Sequence, residues 1–160
     1  MSDPALGSVD PRGLRFNAAV SAVVLAVVVL TSNVWVLLFQ AVLFGVGAVA
    51  GLRFSPYGVL FRKLVGPRLG PPAYREAEAP PRFAQAVGLA FATVGVAGFA
   101  SGIGWLGISA TALAWVAAFL NAAFGFCMGC ETYLLIRRVF PIGSAYRTDK
   151  AYRTDKGVTA

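Results

Sequence analysis

The sequence contains no histidine. That removes His-based acid–base catalysis, Ser-His-Asp triads, His-ligated metal and axial-His haem from the chemistry this chain can supply. Cysteine is almost as scarce: two residues, too few for a disulfide-stapled scaffold. Tetrahedral zinc asks for four Cys or His ligands. Cys127, Cys130 and Glu131 fall short of that, so neither a metal nor a cofactor is expected. Haem attachment through Cys-x-x-Cys-His fails because residue 131 is Glu. Charged residues make up 13 %, about half the share of a soluble domain. No Walker loop, Rossmann glycine pattern or nucleophile elbow occurs. The bases lack the aromatic interleaving of a nucleic-acid platform, so nucleic acid is not an expected partner.

What the chain does have is hydrophobic residues, at 58 % of its 160. Long uncharged runs predict four membrane spans, at about 16–32, 34–52, 83–101 and 106–126. Thr31, Ser32 and Asn33 separate the first two, and Gly102-Ile103-Gly104 the last two, which predicts two tight tandem helical hairpins. The fold class is all-α, a polytopic membrane protein. The first run is flanked by Asp3 and Asp10, lacks a small-x-small cleavage site and turns directly into another span, so it reads as a retained helix and not a secretory signal. Residues 1–14 read as an N-terminal arm, 15–140 as the membrane domain and 141–160 as a disordered basic tail. That tail carries AYRTDK twice in tandem. Ser55-Pro56 predicts a helix start, and 56–65 a short amphipathic helix lying in the interface plane. The prolines between Gly66 and Arg82 predict a linker.

The distribution of charge predicts orientation. The chain has 14 Lys and Arg, and none falls at the tips, residues 31–34 and 102–107. All of them precede the first span, lie between the second and third, or follow the fourth. The positive-inside rule makes that side the cytoplasm, with both termini there and Trp35 and Trp105 at the opposite interface. There is also a faint internal repeat. Arg15-Phe16-Asn17-Ala18-Ala19-Val20 opens the first hairpin and Arg82-Phe83-Ala84-Gln85-Ala86-Val87 the second. Each hairpin closes on an aromatic-aliphatic piece with two bases, Tyr57 to Arg62-Lys63 and Tyr133 to Arg137-Arg138.

The residues that could carry chemistry are Cys127, Cys130 and Glu131. The Cys-x-x-Cys spacing puts both thiols on one helical face and permits a local disulfide. A thiol at a helix N-terminus is favoured as thiolate. Glu131 opposes a second negative charge nearby, yet could accept a thiol proton. The bland alternatives are thiols that merely pack and a Glu131 paired with Arg53 or Arg137. Two placements are open: a span ending near Phe126 followed by a short helix at 131–138, or one long tilted helix containing both cysteines. Asn17, Gln40, Gln85 and Asn121 are expected to hydrogen-bond between helices, unless they converge on a cavity for a small solute. Gly47/Gly51, Gly98/Gly102 and Gly125/Gly129 are read first as sites of close intramolecular packing, with homo-oligomerisation as the other use.

Four segments carry a family resemblance: Asp10-Pro11-Arg12-Gly13-Leu14-Arg15-Phe16, Arg53-Phe54-Ser55-Pro56-Tyr57-Gly58, Pro81-Arg82-Phe83-Ala84-Gln85-Ala86-Val87-Gly88, and Phe119 through Glu131 with its Phe126-Cys127-Met128-Gly129-Cys130-Glu131 motif. Over residues 9–138 the chain resembles the bacterial membrane family catalogued as domain of unknown function 4395. The resemblance implies a bacterial inner (plasma) membrane protein, mainly actinobacterial, with thioredoxin-like and sulfurtransferase-type genes as neighbours. It thereby implies a thiol or sulfur context that maps onto Cys127 and Cys130, and a partner of thioredoxin-like or sulfurtransferase type. Whether the chain is an enzyme stays open. The readings carried forward are thiol-redox or sulfur handling at the cytoplasmic face, an accessory subunit with packed cysteines, and a small-solute transporter.

Overall fold

The computed structural model describes residues 8–72 and 74–139. The first seven residues, Ala73 and residues 140–160, which include the duplicated tail, lie outside the described residues. The architecture is helical. α1 (Pro11–Thr31) and α2 (Val34–Val49) are followed by α3 (Pro56–Leu60), a π turn at Phe61–Val65, and α4 (Gly66–Leu69). α5 (Ala79–Ala100), α6 (Gly104–Phe124) and α7 (Met128–Val139) complete it. A two-residue antiparallel ladder joins β1 (Ser8–Val9) to β2 (Glu76–Ala77).

α1, α5 and α6 are long and apolar enough to cross a bilayer; α2 is apolar but has 16 residues. α2 ends at Val49, three residues short of the end of the run predicted at 34–52, because Gly51 takes a positive φ of 95° that turns the chain. Large apolar side chains cover the outer surface, among them Val23, Leu30, Phe39, Val42 and Leu113. Such a surface suits lipid, not water.

α1 packs chiefly on α6, α2 on α5, and α5 also on α6, while α7 lies along α5. Leu25, Val28, Leu37, Ala41, Phe44, Ala92 and Ala114 form the core. Helices in lipid gain little from burial as such, so close contact between small residues has to supply the packing. Gly98 meets the backbone of Gly107, Gly95 meets Leu37 and Thr111, and Gly47 meets Gln85. The expectation for the glycine pairs needs correcting. Gly47, Gly98 and Gly129 do pack closely, but Gly51, Gly102 and Gly125 have positive φ and turn the chain.

The prolines behave differently from a continuous linker. Pro67 sits in the first turn of α4, and Pro80 and Pro81 in the first turn of α5. A missing N–H is harmless there because that donor has no intrahelical partner. The described residues of the non-helical connection are therefore 70–72 and 74–78, apart from the β2 pairing.

The ends of the long helices are tied crosswise by arginines. Arg15, near the start of α1, donates from Nη2 to the Ala122 and Ala123 carbonyls at the end of α6, both at 3.3 Å. Arg82, near the start of α5, donates to the Ala48 carbonyl from Nε at 3.2 Å and Nη2 at 3.0 Å, and to the Val49 carbonyl at 2.7 Å, both at the end of α2. Glu78 accepts the Leu52 N–H at 3.0 Å. Carbonyls at a helix C-terminus lack intrahelical donors and carry partial negative charge, so a guanidinium satisfies both needs.

The same pattern recurs in ring contacts. Phe16 meets Phe61 and Phe83 meets Tyr133, each with centroids 5.7 Å apart. The short ladder pairs Val9 with Glu76, and each precedes its arginine by the same interval. The sequence repeat is thus matched by equivalent contacts in three places.

Arg82→Ala should lower stability by about 1–2 kcal/mol, since charge-assisted bonds to carbonyls are lost. Arg82→Lys should recover part of that, because a single ammonium cannot reproduce the fork. Thermal midpoints of the detergent-purified proteins would check both.

Candidate functional site

α6 ends at Phe124, and Gly125 with φ 71° turns the chain out of the span. α7 begins at Met128. The two cysteines therefore sit at a helix start, not within one continuous helix. Cys127 precedes the first residue of α7, and its carbonyl accepts the Glu131 N–H at 3.0 Å. Its Sγ accepts the Cys130 N–H at 3.3 Å. Cys127 and Cys130 are joined as a disulfide, with Cα atoms 5.2 Å apart. Both are half-buried.

Gly129 does not turn the backbone. Its φ is not positive, and the turning is done by Gly125. Gly129 instead brings α7 against α5: a Cβ there would lie 2.6 Å from Ala84 Cβ and 2.7 Å from its Cα. The glycine thus fixes where the dithiol stands relative to the bundle.

Glu131 is exposed in the first turn of α7, where a carboxylate is favoured by the helix dipole. Arg137, one of its suggested partners, holds its guanidinium over the Tyr133 ring, 5.8 Å from the centroid. Arg53 contributes its carbonyl to Arg62.

The polar residues of the spans divide into two groups. Gln40 is fully buried and locked: its Nε2 donates to Ser21 Oγ at 3.2 Å, and its Oε1 accepts the Tyr57 hydroxyl at 2.9 Å. Burial pushes the Tyr57 phenol above its ordinary value. Tyr57→Phe should lower stability by about 1 kcal/mol. Gln40→Leu should exceed that, because it strands the Ser21 and Tyr57 hydroxyls together; chemical denaturation of both variants would show the order.

Asn17, Gln85 and Asn121 form the second group. They come from α1, α5 and α6 and line one cavity of about 890 Å³ together with Cys127, Cys130 and Glu131. Three of the four carboxamides singled out from the sequence thus converge, and Gln40 does not. The cavity itself was not legible in the sequence, since it depends on α1 and α6 packing side by side.

No curated protein and no solved structure was found to match the chain. Residues 9–138 match the family described as "Domain of unknown function (DUF4395)". The chain belongs to that family.

Proposed function

We propose that this is a thiol-exchange protein of the bacterial inner membrane, in which Cys127 and Cys130 cycle between dithiol and disulfide at the cytoplasmic face. The observation that carries the reading is the Cys127 sulfur at the start of α7, accepting the Cys130 N–H. On reduction, that N–H and the helix dipole favour Cys127 as thiolate, the form that attacks a disulfide. Cys130 is then the resolving thiol, and Glu131 beside it is the proton acceptor. The natural partner is a thioredoxin-like or sulfurtransferase-type protein. An accessory subunit with inert cysteines is the competing reading, and the half-burial of both thiols speaks against it.

The topology that goes with this is four spans in two tandem hairpins, with both termini cytoplasmic. Arg15 and Arg82 support it, since each ties the start of one long helix to the end of another and carries the charge expected of the cytoplasmic side. α2 crosses as a short span completed by its flanks.

The test is labelling of the reduced protein in oriented vesicles with a membrane-impermeant maleimide. Reaction from the cytoplasmic side alone is expected. Protection from both sides, or labelling only from the other side, overturns the reading.

A further inference from the structure

We propose that the cavity beside Cys127 and Cys130 takes the ring of a membrane quinone, and that this quinone is the electron acceptor of the pair. The inference rests on the thiol-exchange reading and names the oxidant that the reading leaves open.

Three observations point to it. Asn17 is 5 % exposed and its side chain lines the cavity beside the cysteine pair. Gln85 and Asn121 bring two more carboxamides from other helices, and amide N–H groups suit the carbonyl oxygens of a quinone. The remaining wall is largely apolar, with Phe44 and Phe91 in it. Leu113 and Val116 also line it while being exposed on the outer surface of α6. The cavity therefore reaches the lipid-facing surface, the side from which an isoprenoid ligand arrives. Its volume lies within the range of about 300–1,000 Å³ that holds a ring-sized ligand.

The chemistry balances. The soluble partner's dithiol reduces Cys127–Cys130. The Cys127 thiolate then adds to a ring carbon, forming a C–S bond and sending an electron pair to a ring oxygen, which takes a proton. The Cys130 thiol gives its proton to Glu131 and attacks the Cys127 sulfur. The S–S bond forms, the C–S bond breaks, and its electron pair stays on the ring, which takes a second proton as hydroquinone. Two thiols lose two electrons and two protons, and the quinone gains them. Arg15, in the cavity lining, offers positive charge to the anion that forms.

The experiment uses the full chain in lipid nanodiscs and a fully substituted benzoquinone bearing one isoprene unit, which resists simple arylation. Reduced protein should convert a stoichiometric amount of quinone to quinol. The Cys127→Ser/Cys130→Ser double variant should retain quinone in equilibrium dialysis without reducing it. Asn17→Leu should raise the half-saturating quinone concentration by about tenfold, the equivalent of one good hydrogen bond. Asn121→Leu is the second variant if Asn17→Leu does not fold. A protein that exchanges with a soluble dithiol yet leaves the quinone oxidised overturns the quinone site alone. A protein that retains quinone but exchanges with no dithiol overturns the thiol reading and the electron route with it. Equal quinone affinity in wild type and the carboxamide variants overturns the site as drawn.

Discussion

Gly98→Leu is expected to leave little folded protein. A Cβ at residue 98 would stand 2.6 Å from the Gly107 nitrogen and 3.0 Å from its Cα. Both contacts are backbone, so no rotamer change relieves them, and α5 and α6 have to move apart along their length. Ordinary overpacking costs about 1–3 kcal/mol. Here the displaced contact is the close approach on which helix association in lipid depends, so the loss should exceed that range. Gly107→Leu should behave alike, since its Cβ would enter the Phe99 ring. Gly104→Ala is the control: nothing lies within 4 Å of a Cβ there and φ is not positive, so it should be neutral within about 0.5 kcal/mol. Monodispersity after heating in detergent would separate the three.

The second large effect is an asymmetry between the cysteines. Cys127→Ser should lower the rate of exchange with the oxidised, disulfide form of a soluble partner by about three orders of magnitude or more, because the thiolate that attacks the partner's disulfide is gone. Cys130→Ser should also stop turnover, but at a later point. Cys127 still attacks and no resolving thiol follows, so a mixed disulfide with the partner accumulates and survives non-reducing electrophoresis. Equal trapping by both variants would remove the role assigned to the start of α7. A rise in exchange rate with pH, lost in Cys127→Ser, would report the thiolate directly.

Much of the helical plan was legible in residues whose effect is local. Asn33 shows why: its side chain accepts the Trp35 and Val36 N–H groups and starts α2, as an Asn following an apolar run should. Pro67, Pro80 and Pro81 were misread because composition does not distinguish a proline that ends a helix from one in its first turn. Gly51, Gly102 and Gly125 were misread for a similar reason: spacing cannot tell a contact glycine from a turning one. Cys127 and Cys130 were visible as a pair. The cavity they share with Asn17, Gln85 and Asn121 was not, because it depends on which helices become neighbours. That choice is made by long-range contacts such as Arg15 to Ala122, far apart in the chain.

The crosswise packing has a consequence for how the chain is made. α1 and α2 find their main partners in α6 and α5, which are synthesised later. The first half therefore waits in the bilayer with its inner faces uncovered until the second emerges, and neither half is complete alone. Severing the chain within residues 70–78 should yield fragments that assemble only when both are present. The same reciprocity lets two chains trade their second halves: such an exchanged dimer keeps every helix contact of the monomer and differs only in the path of the connection.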